Sequence, residues 1–218
     1  MQVSLLKKGL GNKHFSLIIC SQGKSENYTD VDGMERLMKY QNYYFQDDKI
    51  RLRLWEPKDA EYGYIDNLDS KCMAAVQEEV PLPGQRCNID LNGNSAEPNH
   101  MAPAFTITDL ADNYLGHIHF NYINERHGTF SLGLLITESQ RGKGYGKAAL
   151  KLLIKYAFEE RRLHKFEGYC LEDNIASATM MKAAGCVLEG TSRECVFMNG
   201  KYHNRLIFGL TADEYFKN

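Results

Sequence analysis

The chain has 218 residues, 43% of them hydrophobic, which is enough to bury one substantial core and a small appendage. Its net charge of −2 offers no basic surface of the kind nucleic acid demands, and no apolar run is long enough to span a membrane. The six cysteines (Cys20, Cys72, Cys87, Cys170, Cys186, Cys195) show no Cys-x-x-Cys or paired spacing, and Lys7 and Lys8 lead into Gly9-Leu10-Gly11-Asn12 rather than an apolar leader, so reduced thiols in a cytoplasm are expected.

In chain order, residues 14–20 read as a strand. Residues 34–45 read as helical before turning aromatic through Tyr40, Tyr43, Tyr44 and Phe45, a surface suited to covering a sheet edge or burying against a second subunit in a homodimer. An alternating strand follows at 50–54, and Glu56-Pro57-Lys58-Asp59-Ala60 turns from it into a first helix. Residues 81–103 are rich in loop-forming residues. Phe105-Thr106-Ile107-Thr108 and residues 114–122 then pair across the polar turn 109–113. On the second of these strands His117 and His119 alternate and so share a face. Such a pair ligates metal or acts as a base in some sites and lines a polar, half-exposed strand in most; no metal is expected here.

The most informative stretch comes next. Residues 132–137 form a short apolar strand, while Ala149, Leu152, Leu153, Tyr156 and Ala157 recur at helical spacing within 147–163. Between them stands Arg141-Gly142-Lys143-Gly144-Tyr145-Gly146, a glycine-rich turn at a helix N-terminus. Bare backbone N–H groups at the positive end of a helix dipole make an anion cradle. Arg141, Lys143 and Lys147 add cations where each is unfavourable by about 0.3–1 kcal/mol unless an anion offsets it. A P-loop is excluded, because Gly142-Lys143 is followed by Gly144 and lacks the metal-binding hydroxyl. A dinucleotide fingerprint fits poorly, since its third glycine would fall at Lys147.

Downstream, residues 165–171 read as a strand. Asn174-Ile175-Ala176-Ser177 opens a second long helix that closes at Gly185. Glu189-Gly190, Arg193 and a hairpin at Asn199-Gly200 lead into a return strand over 202–210, and Thr211-Ala212-Asp213-Glu214 is a capping box for a terminal helix.

The Arg-x-x-Gly-x-Gly pattern of Arg141, Gly144 and Gly146, with Gln140 before it, resembles the coenzyme A pyrophosphate loop of the GNAT N-acetyltransferases. The succession Asn174, Ser177, Gly185-Cys186, Glu189-Gly190, Arg193 and Tyr202-His203-Asn204 is similar to the branch holding ribosomal-protein N-terminal acetyltransferases and their polyamine and aminoglycoside relatives. The resemblance covers about 50–210. It implies an α/β fold with a mixed, mostly antiparallel sheet flanked by helices over 49–218, with 1–48 as an N-terminal extension. It also implies acetyl-CoA as co-substrate, held by Leu134, Leu135 and Ile136 along the arm and by Arg141, Gly142, Lys143, Gly144, Tyr145, Gly146 and Lys147 at the diphosphate. Asn174 and Ser177 would complete the cofactor and catalytic set. The strand after the long helix would splay away and open a slot.

Departures from the pattern bear on catalysis. Met181 stands where a helix tyrosine usually protonates the leaving thiolate, which makes Ser177, with Asn174, the substitute candidate. Asn174 as a simple helix cap is the alternative. Thr129-Phe130-Ser131 offers no strand glutamate as base, Cys186 replaces a core phenylalanine, and Asn204 replaces an aspartate. His203 could relay a proton, and Glu172 and Asp173 could draw a cation or simply form a solvated turn. The expected activity is direct acetyl transfer to a primary amine: a protein N-terminus, a polyamine or an aminoglycoside-like molecule. A coenzyme A-binding sensor or scaffold without turnover is the other reading.

Overall fold

The computed structural model describes residues 17–21, 24–28, 43–68 and 103–217. The chain divides into two compact units, Met1–Tyr44 and Phe45–Asn218. In the first, β1 (Leu17–Ser21) pairs antiparallel with β2 (Lys24–Tyr28). The expected strand at 14–20 is thus met from Leu17 onward, whereas the expected helix of 34–45 up to residue 42 and the loop 81–102 lie outside the described residues.

The second unit is a seven-stranded sheet built from β3 (Ile50–Arg53), β4 (Ala104–Asp109), β5 (Tyr114–Asn124), β6 (Thr129–Ile136), β7 (Lys165–Leu171), β8 (Val187–Met198) and β9 (Lys201–Thr211). Its order is β3-β4-β5-β6-β7-β9-β8, antiparallel throughout except for β6 and β7. The helices are α1 (Ala60–Leu68), α2 (Tyr145–Glu159), α3 (Ile175–Ala183) and α4 (Ala212–Lys217). This is the mixed, mostly antiparallel sheet with flanking helices that the sequence implies.

The parallel pair follows from the connection. Strands joined by a two-residue turn must run antiparallel, whereas β6 reaches β7 through α2, a crossover long enough to return the chain in the same direction. The helix is held by the stripe that the spacing predicts. Ala149, Leu152, Leu153 and Ala157 are buried with Leu150 and Ile154 against Ile50, Leu52, Phe105, Ile107, Ile118, Phe120 and Phe130 of the sheet. Each fully buried leucine contributes about 1.5–3 kcal/mol by leaving water. Phe45 closes the edge of this core, with its ring 4.9 Å from Phe105 and 5.0 Å from Tyr156. The hairpin Asn199-Gly200 has φ of 53° and 78°, as a type I′ turn requires. The terminal capping box forms, with Thr211 N–H donating to Glu214 Oε2 at 2.8 Å and Glu214 N–H to Thr211 Oγ1 at 3.3 Å.

The opposite face of the sheet carries its polar residues. Arg53, 3% exposed, forms a two-pronged ion pair with Asp59 at 2.7 and 2.9 Å and donates to Asp112 at 2.8 Å. Thr106 Oγ1 also donates to Asp59. These bonds hold the Asp59 and Asp112 carboxylates below their ordinary range despite burial, which acts the other way. The network fastens the 3-10 turn Pro57–Asp59 to the sheet and so sets where α1 starts. Further along, Asp66 of α1 accepts from Tyr114 Oη at 2.8 Å and from Thr137 Oγ1 at 3.0 Å, fixing the helix to the end of β6. Removing one partner of a buried pair leaves the other uncompensated. Arg53→Met should therefore cost about 3–5 kcal/mol in urea unfolding, while Lys58→Met, which removes an exposed partner of Asp112, should cost under about 1 kcal/mol.

Candidate functional site

A slot opens where β6 leaves β7. The two strands pair only at Thr129–Lys165 and Phe130–Phe166. Beyond those residues β6 stays with β5, and β7 stays with β9. Two strand edges with unspent N–H and C=O groups therefore face one another, an arrangement that an extended, amide-bearing ligand satisfies. Leu134, Leu135 and Ile136 lie on the β6 edge, as the sequence implies.

The glycine loop closes the wide end. Gly142 (φ 78°) and Gly144 (φ 86°) adopt the left-handed conformation that favours glycine, and Gly144 is the N-cap of α2. No side chain caps this helix, and its first internal bond runs from Ala148 N–H to Gly144 O at 3.1 Å. The N–H groups of Tyr145, Gly146 and Lys147 thus have no acceptor within the helix. A Cβ at Gly142 or Gly144 would meet nothing within 4 Å, so the space over the bare backbone is open. That cradle at the positive pole of a 15-residue helix fits a diphosphate. Arg141 Nε donates to Ile136 O at 2.8 Å, and Lys143 Nζ donates to Gln140 Oε1 at 2.7 Å. Both cations are thereby staked to the loop, while Lys147 is exposed.

Across the slot, Asn174 Oδ1 accepts the Ser177 N–H at 3.1 Å, so Asn174 caps α3. The Ser177 hydroxyl neighbours the Cys170 thiol of β7 and partly offsets the rise that burial imposes on that thiol. Met181, one turn on and 3% exposed, has its sulfur against Gly168, where a Cβ would come within 2.8 Å. The position of the missing tyrosine is therefore filled by packing. Met180 reaches the other way, to Gly146, where a Cβ would also meet Leu134 and Ile136.

At the end of β7 the polar residues are more ordered than a solvated turn. Asn204 Nδ2 donates to Glu172 Oε2 at 2.8 Å, and its Oδ1 accepts the Glu194 N–H at 2.9 Å. His203 lies 3.3 Å from Asp173 Oδ2 and 3.2 Å from Met198 O. A bulge in β8 between Ser192 and Val196 makes room for these contacts and sets Glu194 at φ 49°.

His117 and His119 do share a face, their ring centroids 5.9 Å apart. Burial pushes both imidazoles down, His117 to about 4 with help from its neighbour, so both are neutral near pH 7. Gly133 of β6 lies beneath His119, and a Cβ there would come within 2.6 Å of the ring. Strand alternation alone would place Tyr122 on the core face with Ile118 and Phe120. A bulge between Phe120 and Tyr122 shifts the register, so that Tyr122 pairs with Ser131 and its hydroxyl donates to Glu167 of β7. Neither Tyr122 nor Glu167 stands out in the sequence, because only this bulge joins them. Among the described residues no group of three or more His, Cys, Asp or Glu side chains converges on a metal-sized point.

The chain is similar to known N-acetyltransferases in sequence and in fold. A family model described as an acetyltransferase (GNAT) domain matches residues 49–187. An N-acetyltransferase of Bacillus subtilis, YnaD, named as uncharacterized, is 25% identical over 168 residues, covering 77% of this chain and 96% of its own. A putative ribosomal N-acetyltransferase of the same organism, YdaF, is 27% identical over 183 residues, 77% of this chain and 94% of its own. A spermidine N-acetyltransferase from Vibrio cholerae, solved in complex with CoA and spermine, superposes with a TM-score of 0.68 at 20% identity, covering 78% of this chain and 99% of that one.

Two measurements probe these side chains. Asn174→Ala should lower stability by about 0.5–2 kcal/mol through loss of the cap, whereas Asn174→Asp, an equally good cap, should not. Urea titrations of both variants provide the check. For His117 the neutral form is favoured on folding, so its contribution is intact above the unfolded value of about 6.5 and is lost as pH falls toward the folded value of about 4. Stability should drop by up to about 1.4 kcal/mol per pH unit across that window, and His117→Asn should flatten this slope in urea melts at pH 7 and pH 5.

Proposed function

Because the chain belongs to the acetyltransferase (GNAT) family, we propose that it moves an acetyl group from acetyl-CoA directly to a primary amine, with no covalent intermediate on the protein. The observation that carries this reading is the slot. A two-residue parallel pairing opens into facing strand edges, and at its wide end lies a glycine cradle on a helix N-terminus. One end suits an extended arm with amides, the other a diphosphate.

The coenzyme supplies a thioester-activated acetyl group. The backbone of Gly142, Lys143, Gly144, Tyr145, Gly146 and Lys147 would hold its diphosphate, with Arg141 and Lys143 adding charge. The edge at Leu134, Leu135 and Ile136 would hold the arm through backbone bonds. Positioning and fixed N–H dipoles then supply much of the rate. Asn174 has its oxygen committed to the cap and its amide N–H groups left to orient the arm. Ser177, beside the Cys170 thiol, is the acid proposed for the leaving sulfur. A covalent route is disfavoured at Cys170 and Cys186, both buried with thiols pushed up, the latter to about 12.

The acceptor would be a protein N-terminus, a polyamine or an aminoglycoside-like amine, and the setting a cytoplasm. Met181, buried against Gly168 where an acid would stand, favours a second reading as a coenzyme A-binding sensor. Thiol release from acetyl-CoA over an amine panel separates the two. Acceleration by any amine supports transfer, and coenzyme heat in calorimetry with no turnover supports the sensor. Arg141→Glu should weaken coenzyme binding by more than about tenfold; unchanged affinity would remove the diphosphate from this loop.

A further inference from the structure

The glycine cradle hangs from the end of β6, and the bonds that hold this end reach to the opposite face of the sheet. Thr137 closes the strand, its N–H donating to Leu115 O at 3.0 Å. The chain then folds back on itself. Gln140 N–H donates to Thr137 O at 2.9 Å, Arg141 N–H to Glu138 O at 3.3 Å, and Arg141 Nε to Ile136 O at 2.8 Å. These bonds are local. They fix the shape of the loop but refer its position only to Ile136 and Thr137.

A longer-range tie comes from α1. Asp66, 5% exposed, accepts from the Thr137 hydroxyl at 3.0 Å on Oδ1 and 3.3 Å on Oδ2, and from Tyr114 Oη at 2.8 Å on Oδ2. Tyr62, one turn before Asp66, stacks its ring on that of Tyr114, with centroids 4.8 Å apart and planes inclined by 10°. Helical spacing puts positions 62 and 66 on one face, so α1 is seated on β5 by the same residues that carry the carboxylate to Thr137. Thr137 is also the N-cap of the 3-10 turn Glu138–Gln140, where a threonine oxygen ordinarily accepts from its own turn. No such bond forms. The hydroxyl donates instead to Asp66, 71 residues earlier in the chain.

We propose that Asp66 is a positioning residue for the coenzyme: through its bond to Thr137 it sets the height of the glycine loop over β6, and coenzyme A affinity depends on that bond. This rests on the acetyltransferase reading and gives α1 a part in it. A diphosphate must meet the N–H groups of Tyr145, Gly146 and Lys147 at once, so any freedom of the loop in the empty protein is freedom that binding has to remove. A hydrogen bond to a buried carboxylate is among the stronger ones in a protein, which suits Asp66 to limiting that freedom in advance.

The test titrates coenzyme A calorimetrically into the full-length protein and its variants, with the binding stoichiometry reporting the folded fraction. Thr137→Val, which keeps the branched shape and removes the hydroxyl, should weaken binding by about fivefold or more. Thr137→Ser, which keeps the hydroxyl, should stay within about twofold of the native protein. Tyr114→Phe removes the other donor to Asp66 and leaves the Thr137 bond. Its urea midpoint should fall while its coenzyme affinity stays within about twofold of native. Adding Asp66→Asn to Thr137→Val should weaken binding by less than about twofold more, because the strut is already broken. Native affinity in Thr137→Val, or a Thr137→Ser as weak as Thr137→Val, overturns the proposal. So does a Tyr114→Phe that loses as much affinity as Thr137→Val, which marks Asp66 as general support of the fold, and so does a large further loss in the double variant. No heat with coenzyme A in the native protein overturns the acetyltransferase reading beneath it.

Discussion

The arrangement of this molecule turns on two paired residues. Parallel strands normally stay in register along their length, yet β6 and β7 hold together only at Thr129–Lys165 and Phe130–Phe166. Each is drawn away by a stronger attachment, β6 to β5 over eight residue pairs and β7 to β9 over seven. The aromatic rings behind the junction fix its position. Phe130 lies 5.5 Å from Phe166 and 5.6 Å from Phe158 of α2, so the point of divergence is packed and cannot drift along the strands. Opening a sheet exposes backbone groups that must be satisfied, and a protein retains such a gap where a ligand completes the ladder.

The fold was largely legible from the sequence because its elements obey their own periodicities. The stripe at Ala149, Leu152, Leu153 and Ala157 could belong only to a helix, and Asn199-Gly200 could hardly be other than a tight hairpin. The glycine loop was legible for a related reason, since the left-handed backbone at Gly142 and Gly144 demands glycine. What lay beyond reach was long-range. Glu167 and Tyr122 are 45 residues apart and meet only because Asn121 is the extra residue of a bulge. Alternation counted along β5 assigns Tyr122 to the wrong face, and a single inserted residue reverses it. The bonds that hold Asn204 to Glu172 and Glu194 were invisible for the same reason, as they depend on the irregular register of β8.

The proposed catalytic residues are less plainly written than the proposed binding ones, and the physical cause is evident. A diphosphate cradle uses the main chain, which any sequence with the right turn provides. Proton transfer needs particular side chains at particular heights above the slot. On α3 the Met181 position has been given over to packing against Gly168, which is why the acid proposed here is Ser177, one turn earlier. Asp66, which ties α1 to both Tyr114 and Thr137, links the helix on the polar face to the strand end that leads into the glycine loop.

The bulge in β8 has a separate effect. This strand is the last in the sheet, and an uninterrupted outer strand of 12 residues would be a template for growth by addition of further chains. Between Ser192 and Val196 the regular ladder is broken, and Arg193 and Glu194 place opposite charges where an incoming strand would have to align. Val187 and Leu188 remain exposed before the break and Phe197 after it. No continuous apolar rim is left along which fibrillar stacking could propagate, so the irregularity that shapes the polar end of the sheet also protects the molecule against polymerisation.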